Sequence, residues 1–430
     1  MQKAKTLTIA VTGVCAIILF AVLITSMSKL FKELPFKPTL ADLGNPGCEI
    51  DPLDNNARPI VTISRSTEFL YPKWNETVLR FNYSEEVDFV CPGSVLLNSS
   101  QEILQGKCYN GTTFIINDQH INWSALKCAY NRSLIGTIRA TKNKCNSNAG
   151  KELEIGFELT DGRFLRTILI CFDPETQLAF WTYIKQIASI NKRFRAYSTP
   201  PLWSSGQNIY NISDDINSLY TNANQRRTIN QLLDLQANST KYIKKQKESN
   251  HFLSRGHMAA RADFFYPIQQ NATYFMPNAA PQWQSLNKFN WNQTEVDVRN
   301  YASNHGVDLQ VWTGVHGVTT LMNNNTQLPT KLYLYVNAST KALPVPEIFY
   351  KVVYNPDTGK GVALIGVNNP YNSTFIPICE DVSSKITWLR WNKDDQMKGF
   401  CYACTISSFR NVVEAVPSVD DKGLLLQLLV

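Results

Sequence analysis

The stretch that decides the fold runs from residue 254 to residue 299 and holds three polar elements in order: SRGH (254–257), NAAPQW (278–283) and NKFNWNQTEVDVR (287–299). In the last element Asn287, Trp291, Glu295 and Arg299 recur at every fourth position. Residues four apart lie on one face of an α-helix, so a helix over residues 284–301 aligns these side chains in a stripe about 18 Å long. An amide, a carboxylate and a guanidinium on one stripe are unusual against an apolar core. The pattern predicts the floor of a polar cleft.

The chemical groups of this stretch are those that phosphodiester hydrolysis needs. His257 can accept the proton of an attacking water at neutral pH, because an unperturbed imidazole has a pKa of about 6.5. Asn287 offers a carbonyl oxygen to a hard divalent cation, which neutralises the charge that develops in the transition state. Arg255 and Arg299 can grip phosphate oxygens through bidentate hydrogen bonds. These residues predict a metal-assisted hydrolase.

The three elements resemble the active site of the DNA/RNA non-specific endonucleases, a family of ββα-metal nucleases. The family's DRGH motif matches SRGH (254–257), its N-x-x-P-Q element matches residues 278–282, and its N-x-x-x-W-x-x-x-E helix matches residues 287–295. The resemblance covers most of residues 195–415 and, more loosely, the residues before them. In its details the chain is similar to secreted invertebrate nucleases, including enzymes that degrade double-stranded RNA.

The resemblance implies a role for each matching residue. His257 would be the general base and Asn287 the direct protein ligand of Mg²⁺, or of Mn²⁺ in its place. Glu295 would hold metal-bound waters, and Arg255 and Arg299 would contact phosphate. Asn278 and Gln282 would support the site. The implied activity is a metal-dependent endonuclease acting on DNA, RNA or both and leaving 5′-phosphates, largely independent of sequence because phosphate contacts carry no base information.

One residue departs from the family pattern. Ser254 stands where many members have Asp, and a hydroxyl accepts weaker hydrogen bonds than a carboxylate does. Reduced or altered activity is one expectation from this change. Two functions stay open here: an active endonuclease, which the retained base, metal and phosphate groups favour, and a nuclease-derived receptor that binds extracellular nucleic acid without cutting it.

The N-terminus predicts entry into the secretory pathway. Lys3 and Lys5 precede an uncharged apolar run over residues 6–28. The run is long enough to span a bilayer and also fits a signal peptide, so residues 1–28 are a cleaved signal or a type II membrane anchor. Thirteen Asn-x-Ser/Thr sequons and nine cysteines after the run predict a glycosylated, disulfide-bonded protein outside the cytosol. The net charge of +7 permits polyanion binding but does not diagnose it.

The rest of the chain predicts an α+β fold, with a ββα-metal nuclease domain preceded by a β-rich, disulfide-containing N-terminal domain. Short alternating runs place a β-rich module over residues 40–190, and the nuclease domain follows over residues 195–415. A Pro- and Ser-containing stretch at 198–206 is the candidate linker. Apolar spacing predicts a helix over residues 228–245. The sequence leaves the oligomeric state open.

The cysteine pattern near the C-terminus predicts a disulfide. Cys401 and Cys404 could form half of a zinc site or a redox pair, but Cys379 lies nearby and the leader directs the chain to an oxidising compartment. We therefore expect Cys379 to pair with Cys401 or with Cys404. Because nine cysteines cannot all pair within one chain, at least one thiol stays free or pairs between chains.

Overall fold

The computed structural model describes residues 46–426, except 56, 98, 130–133, 196–198, 247–248 and 338–339. The predicted leader at residues 1–28 lies outside the described residues. Within the described part, no helix combines the length and apolarity that crossing a membrane requires. The choice between signal peptide and membrane anchor stays a prediction.

Short strands dominate the described chain, and helices are few, as the α+β prediction requires. The strands are β1 (Cys48–Ile50), β2 (Ile60–Ile63), β3 (Leu79–Phe81), β4 (Glu86–Val90), β5 (Ile103–Asn110), β6 (Thr113–Ile116), β7 (Gln119–Asn122), β8 (Thr137–Cys145), β9 (Gly150–Glu158), β10 (Phe164–Asp173), β11 (Leu178–Gln186), β12 (Leu253–His257), β13 (Ala279–Trp283), β14 (Leu309–His316), β15 (Thr320–Met322), β16 (Pro329–Lys331), β17 (Tyr333–Val336), β18 (Lys341–Pro344), β19 (Ile348–Asn355), β20 (Lys360–Val367) and β21 (Cys401–Cys404). The α-helices are α1 (Ile216–Leu219), α2 (Asn222–Leu232), α3 (Pro267–Ala272), α4 (Gln284–Leu286), α5 (Asn292–His305) and α6 (Ile406–Arg410). Short 3-10 turns cover Trp123–Ala125, Ala188–Lys192, Arg261–Asp263, Met276–Asn278, Ser383–Lys385 and Gln396–Lys398.

The largest sheet has eight antiparallel strands in the order β21-β20-β19-β14-β11-β10-β9-β8. The pairing of β11 with β14 joins its two halves, with a register from Trp181 opposite Gly314 to Gln186 opposite Leu309. Strands before residue 190 and strands after residue 195 therefore share one sheet. The predicted division between the module and the nuclease domain runs through this sheet. The strands β2, β4, β5, β6 and β7 of the module form a separate five-stranded sheet.

Both faces of the eight-stranded sheet are covered. On one face, Ile155, Val311 and Leu364 pack in the same apolar cluster as Val298 and Ala302 of α5. On the other face, a second cluster packs strand residues against α6. Burial on both sides explains why every residue of β19 is buried. The sheet thus forms a fixed base beneath α5.

Four disulfides stabilise the described chain: Cys48–Cys108, Cys91–Cys128, Cys145–Cys171 and Cys379–Cys404. The expected partner of Cys379 is therefore Cys404. Cys401 is buried and free, which accounts for the odd cysteine. Burial raises the pKa of its thiol far above the ordinary value, so this cysteine is an inert core residue.

The helix predicted over residues 228–245 is wrong beyond its first turn. The observed helix, α2, begins earlier and ends at Leu232. Asp234 adopts the left-handed conformation, with φ of 52°, and so breaks the helix. The buried Asn230 amide then donates to the carbonyls of residues 236, 237 and 239, which turns the chain back on the helix. A side chain that binds backbone carbonyls this way favours a turn over a longer helix.

Candidate active site

The three polar elements of the sequence form one ββα unit. Strand β12 pairs with β13 in antiparallel register, with His257 opposite Ala279 and Ser254 opposite Gln282. The chain then runs without a break through α4, a π-helical turn (Asn287–Trp291) and α5. The helix predicted over residues 284–301 is therefore confirmed, with a π turn inserted at Asn287. Such turns are rare in helices and are frequent at functional sites.

The amide of Asn287 is held against β12. Its Nδ2 donates to Ser254 Oγ and to Gln284 Oε1, each at 3.2 Å. Ser254 Oγ in turn donates to the carbonyl of Gln282 at 3.0 Å. The serine hydroxyl therefore links the helix to both strands. With both amide hydrogens engaged, the carbonyl oxygen Oδ1 is the atom of Asn287 that remains for a cation.

The surroundings of this amide fit a hydrated cation. Gln282 is fully buried, and neither polar atom of its side chain has a partner among the described residues. Leaving a buried amide unpaired costs about 1–3 kcal/mol per group, which ordered water or a bound ion would offset. The described residues contain no cluster of three or more His, Cys, Asp or Glu side chains arranged to hold a metal. A cation here would be bound by the neutral amide oxygen of Asn287 and by water molecules. Mg²⁺ tolerates a site with few protein ligands, because it usually keeps several of its waters.

Position 256, between the predicted motif residues Arg255 and His257, requires a glycine because Gln282 fills the space that a side chain would occupy. A Cβ at position 256 would approach Gln282 Oε1 to 2.4 Å and Gln282 Cβ to 2.5 Å. Real Cβ atoms essentially never come this close, so a larger residue would displace Gln282. The glycine of SRGH and the glutamine of NAAPQW are therefore matched by packing.

His257 ends β12 inside an aromatic pocket. Its imidazole packs against the rings of Trp203 and Tyr274, with centroid distances of 4.6 Å and 5.1 Å. Burial lowers the pKa of His257 to about 4, while the Asp263 carboxylate raises it and Arg261 lowers it further. The imidazole is consequently neutral, and able to accept a proton, throughout the physiological pH range.

A threonine hydroxyl contacts one of the two ring nitrogens of this imidazole. His257 Nε2 lies 3.4 Å from Thr273 Oγ1, and Thr273 donates its own hydroxyl hydrogen to the carbonyl of Gln270 at 2.8 Å. With its hydrogen directed to Gln270, the threonine oxygen is placed to accept from the imidazole, an arrangement that favours the tautomer with hydrogen on Nε2. Nδ1 is left with the free lone pair, which makes it the basic atom.

Asn278 fixes the loop that follows His257. Its side chain is fully buried, accepts from the Ala259 amide at 2.9 Å, and donates to the carbonyls of Ala259 at 2.9 Å and Thr273 at 3.0 Å. One side chain thus joins the residues after the histidine to the residue that contacts Nε2. The position of the imidazole depends on this amide.

A buried ionic cluster lies beneath the site. Arg299 Nη1 pairs with Asp263 Oδ1 at 2.5 Å, and their side chains are only 6% and 4% exposed. Lys351, fully buried in β19, donates to Thr313 Oγ1 at 2.6 Å. Burial raises the pKa of Glu295 to about 7, Asp263 raises it as well, and Lys351 and Arg299 lower it. Because Asp263 acts on both Glu295 and His257, the two predicted catalytic groups share one electrostatic environment.

The two arginines have partners inside the protein. Arg255 donates to the carbonyl of Asn217 at 2.9 Å and its guanidinium lies 5.2 Å from the Tyr220 ring centroid. Arg299 is paired with Asp263 as described above. Their predicted contact with phosphate stays a prediction, and these partners favour a supporting role.

Three residues of the site went unassigned in the sequence. Asp263 ends the run HMAARAD (257–263), which begins with the histidine, but its spacing alone predicted no role for it. Lys351 had a local signal, since it is a lone lysine within an otherwise apolar strand. Trp203 had none, because it lies in the stretch that resembled a linker.

Comparison with known proteins identifies a family and several proteins to which this chain is similar. The sequence model of the DNA/RNA non-specific endonucleases matches residues 148–409. A Lutzomyia longipalpis protein described as a salivary endonuclease is 26% identical over 318 residues, which cover 72% of this chain and 72% of that protein. The salivary protein Tsal1 of Glossina morsitans morsitans is 21% identical over 394 residues, covering 88% of this chain and 94% of that protein. A chain of the solved EndoG/EndoGI complex is 18% identical over an alignment that covers 47% of this chain and 71% of that chain, with a TM-score of 0.27.

Proposed function

Since this chain belongs to the DNA/RNA non-specific endonuclease family, we propose that it is an endonuclease that hydrolyses phosphodiester bonds of DNA, RNA or both. The observation that carries the proposal is the junction of β12 with the π-helical turn, where Ser254 holds the amide of Asn287. His257 follows three residues later on the same strand, about 10 Å along it. A base and a cation ligand therefore belong to one strand–helix unit.

His257 acts as the general base through Nδ1. The nitrogen takes a proton from water as the water oxygen attacks phosphorus. The P–O3′ bond breaks, and the departing O3′ takes a proton from solvent water, which leaves a 5′-phosphate and a 3′-hydroxyl. The proton stays on the imidazole, and the carboxylate of Asp263 stabilises the imidazolium that results, in keeping with its effect on the pKa of His257. General-base catalysis of this kind contributes about 10²- to 10⁴-fold in rate.

The family depends on a divalent metal, and Mg²⁺ is the ion we assign, with Mn²⁺ able to replace it. Asn287 Oδ1 would be its direct protein ligand and the carboxyl group of Glu295 would hold its waters. When bound, the ion supplies positive charge that stabilises the transition state and the leaving oxygen. Asn278 and Gln282 keep the strands and loop in place around it.

The substrate is recognised through its phosphates. Contacts to phosphate and metal read no base edges, so cleavage is largely independent of sequence. The four disulfides suit an oxidising compartment, and the relatives described as salivary agree with release from the cell. Extracellular DNA or RNA, including double-stranded RNA, is the expected substrate.

The test incubates the purified chain with plasmid DNA and with long double-stranded RNA, with Mg²⁺ or with EDTA. We expect cleavage in Mg²⁺, none in EDTA, and none by Asn287→Ala in either. Lys288→Ala, at the exposed neighbouring position, is the matched control and should cleave. Binding of both nucleic acids without any cleavage would instead support the receptor function, and cleavage that survives EDTA would exclude the metal.

A further inference from the structure

Within the stretch that resembles a linker, Trp203 and Ser204 are bonded to the chain beside the candidate catalytic site. Ser204 donates its backbone N–H to the carbonyl of Tyr274 at 2.9 Å, and its carbonyl accepts from the Met276 N–H at 2.8 Å. The carbonyl of Trp203 accepts from Asn217 Nδ2 at 3.2 Å. These bonds fix the backbone from the Trp203 carbonyl through Ser204, directly after the Trp203 side chain.

The fixed backbone turns the indole of Trp203 inward. Leu202, one position earlier, is 90% exposed, whereas Trp203 is partly buried against the rings of His257 and Tyr274. The indole is tilted by 46° to the imidazole, and Tyr274 meets the imidazole edge-on at 84°. Two aromatic rings therefore enclose the histidine.

The imidazole needs this enclosure because its hydrogen bond is weak. Its contact with Thr273 is 3.4 Å long, beyond the usual range for a strong hydrogen bond. The χ2 torsion of histidine is broad, so a single weak bond leaves the ring free to rotate. Packing on its faces is what limits that rotation.

We propose that Trp203 is a positioning residue for the nuclease reaction, whose indole holds the His257 imidazole with Nδ1 directed to the attacking water. The proposal rests on the proposed role of His257 as the base. Trp203 touches the base and acts through it, so its loss should lower kcat more than it changes KM.

Trp203 differs from Asp263 and Arg261, the two groups that act on His257 through their charges, because it carries no charge. Asp263 and Arg261 act on the imidazole from the 3-10 turn, and Tyr274, which is hydrogen-bonded to Arg261, packs edge-on against it. Removing the indole leaves these groups in place and admits water. The pKa of His257 should then move up from about 4 towards its ordinary value of 6.5, because burial is the main cause of its depression.

The test compares Trp203→Leu and Trp203→Met, which keep apolar volume without a ring, with Trp203→Phe, which keeps a ring. Leu202→Ala is the matched control in the same segment. One readout is the cleavage kinetics in Mg²⁺. The other is the pH dependence of acylation of His257 by diethyl pyrocarbonate, followed by mass spectrometry, since this reagent modifies only the neutral imidazole.

For the Leu and Met variants we expect kcat to fall by about 10- to 100-fold, the scale on which misplaced catalytic groups lose rate. The acylation midpoint should rise by at least about one pH unit, as each unit reflects about 1.4 kcal/mol of altered environment. Leu202→Ala should behave as the wild type, and Trp203→Phe, which keeps a smaller ring against the imidazole, should change kcat and the acylation midpoint in the same direction by less than the ring-less variants do. Thermal unfolding identifies any ring-less variant that does not fold. In that case Trp203→Phe is compared with the wild type, and its kcat and acylation midpoint should change in the same direction by a smaller amount.

Two outcomes separate this proposal from the proposed function. If His257→Ala is inactive while folded ring-less variants keep the wild-type kcat and acylation midpoint, the positioning role of Trp203 is overturned and the base assignment stands. If His257→Ala retains turnover, the base assignment itself fails.

Discussion

Ser254→Ala removes one of the two anchors of the Asn287 amide. The wild-type hydroxyl accepts from Asn287 Nδ2 at 3.2 Å and donates to the Gln282 carbonyl at 3.0 Å, and Gln284 provides the second anchor. A neutral hydrogen bond contributes about 0.5–1.5 kcal/mol net, and about 1.4 kcal/mol is a tenfold change in an equilibrium constant. If the amide must be oriented before it binds a cation, the Kd for the cation should rise by about 2- to 10-fold. The effect is graded because Gln284 still holds the amide.

Mn²⁺ is the suitable probe for this measurement, since the electron paramagnetic resonance signal of the free ion reports binding without any nucleic acid. Ser285→Ala is the matched control, because the hydroxyl of Ser285 is buried close by in sequence and has no partner among the described residues. Ser254→Asp supplies the carboxylate of the family pattern and should lower the Kd by adding negative charge. Unchanged Mn²⁺ affinity in Ser254→Ala, alongside lost affinity in Asn287→Ala, would refute the orienting role of the serine.

Three further predictions concern stability and binding. In metal-free protein, the folded pKa of His257 is lowered from 6.5 to about 4 and that of Glu295 is raised from 4.5 to about 7, so their effects on the free energy of unfolding oppose each other between these values. Thermal unfolding in EDTA should show stability falling with rising pH in His257→Gln and rising with pH in Glu295→Gln; parallel curves would contradict these shifts. Asp263→Asn should lower the free energy of unfolding by about 3–5 kcal/mol, because it leaves Arg299 buried and unpaired. Asp420→Asn, which breaks an exposed ion pair, should lower it by less than about 1 kcal/mol. Urea unfolding of both variants measures these losses. Nucleic-acid affinity of Asn287→Ala should fall steeply with salt and be similar for unrelated sequences of equal length, and a strong preference for one sequence would contradict phosphate recognition.

Local patterns in the sequence predicted many elements well. In the sequence, apolar runs at 348–354 and 361–367 flank turn residues at 355–359, a pattern that favours a hairpin, and these runs form the paired strands β19 and β20. The helix after β13 followed from four-residue spacing. The pairing of β11 with β14 could not be read in the same way, since it joins residues more than 120 positions apart and no local pattern encodes the partner of a strand. The predicted division into two domains at residues 190–195 therefore stays a prediction, and the eight-stranded sheet contains strands from both sides of it.

The candidate site was predictable where it followed motifs. Asn278, Asn287 and His257 were expected there, and the structure brings all three into the ββα unit. The tertiary contacts were not predictable. Trp203 contacts His257 because the neighbouring Ser204 bonds to the backbone of Tyr274 and Met276. Lys351 acts on Glu295 from β19, a central strand of the sheet. The π turn at Asn287 also has no signature in the spacing of the side chains.

Single-turnover cleavage of an end-labelled duplex by His257→Ala, at saturating Mg²⁺ and with enzyme in excess, tests the proposed chemistry most directly. Loss of the general base should slow the cleavage step by about 10²- to 10⁴-fold while leaving duplex binding unchanged. A rate within a few-fold of wild type would contradict the assignment of His257 as the base.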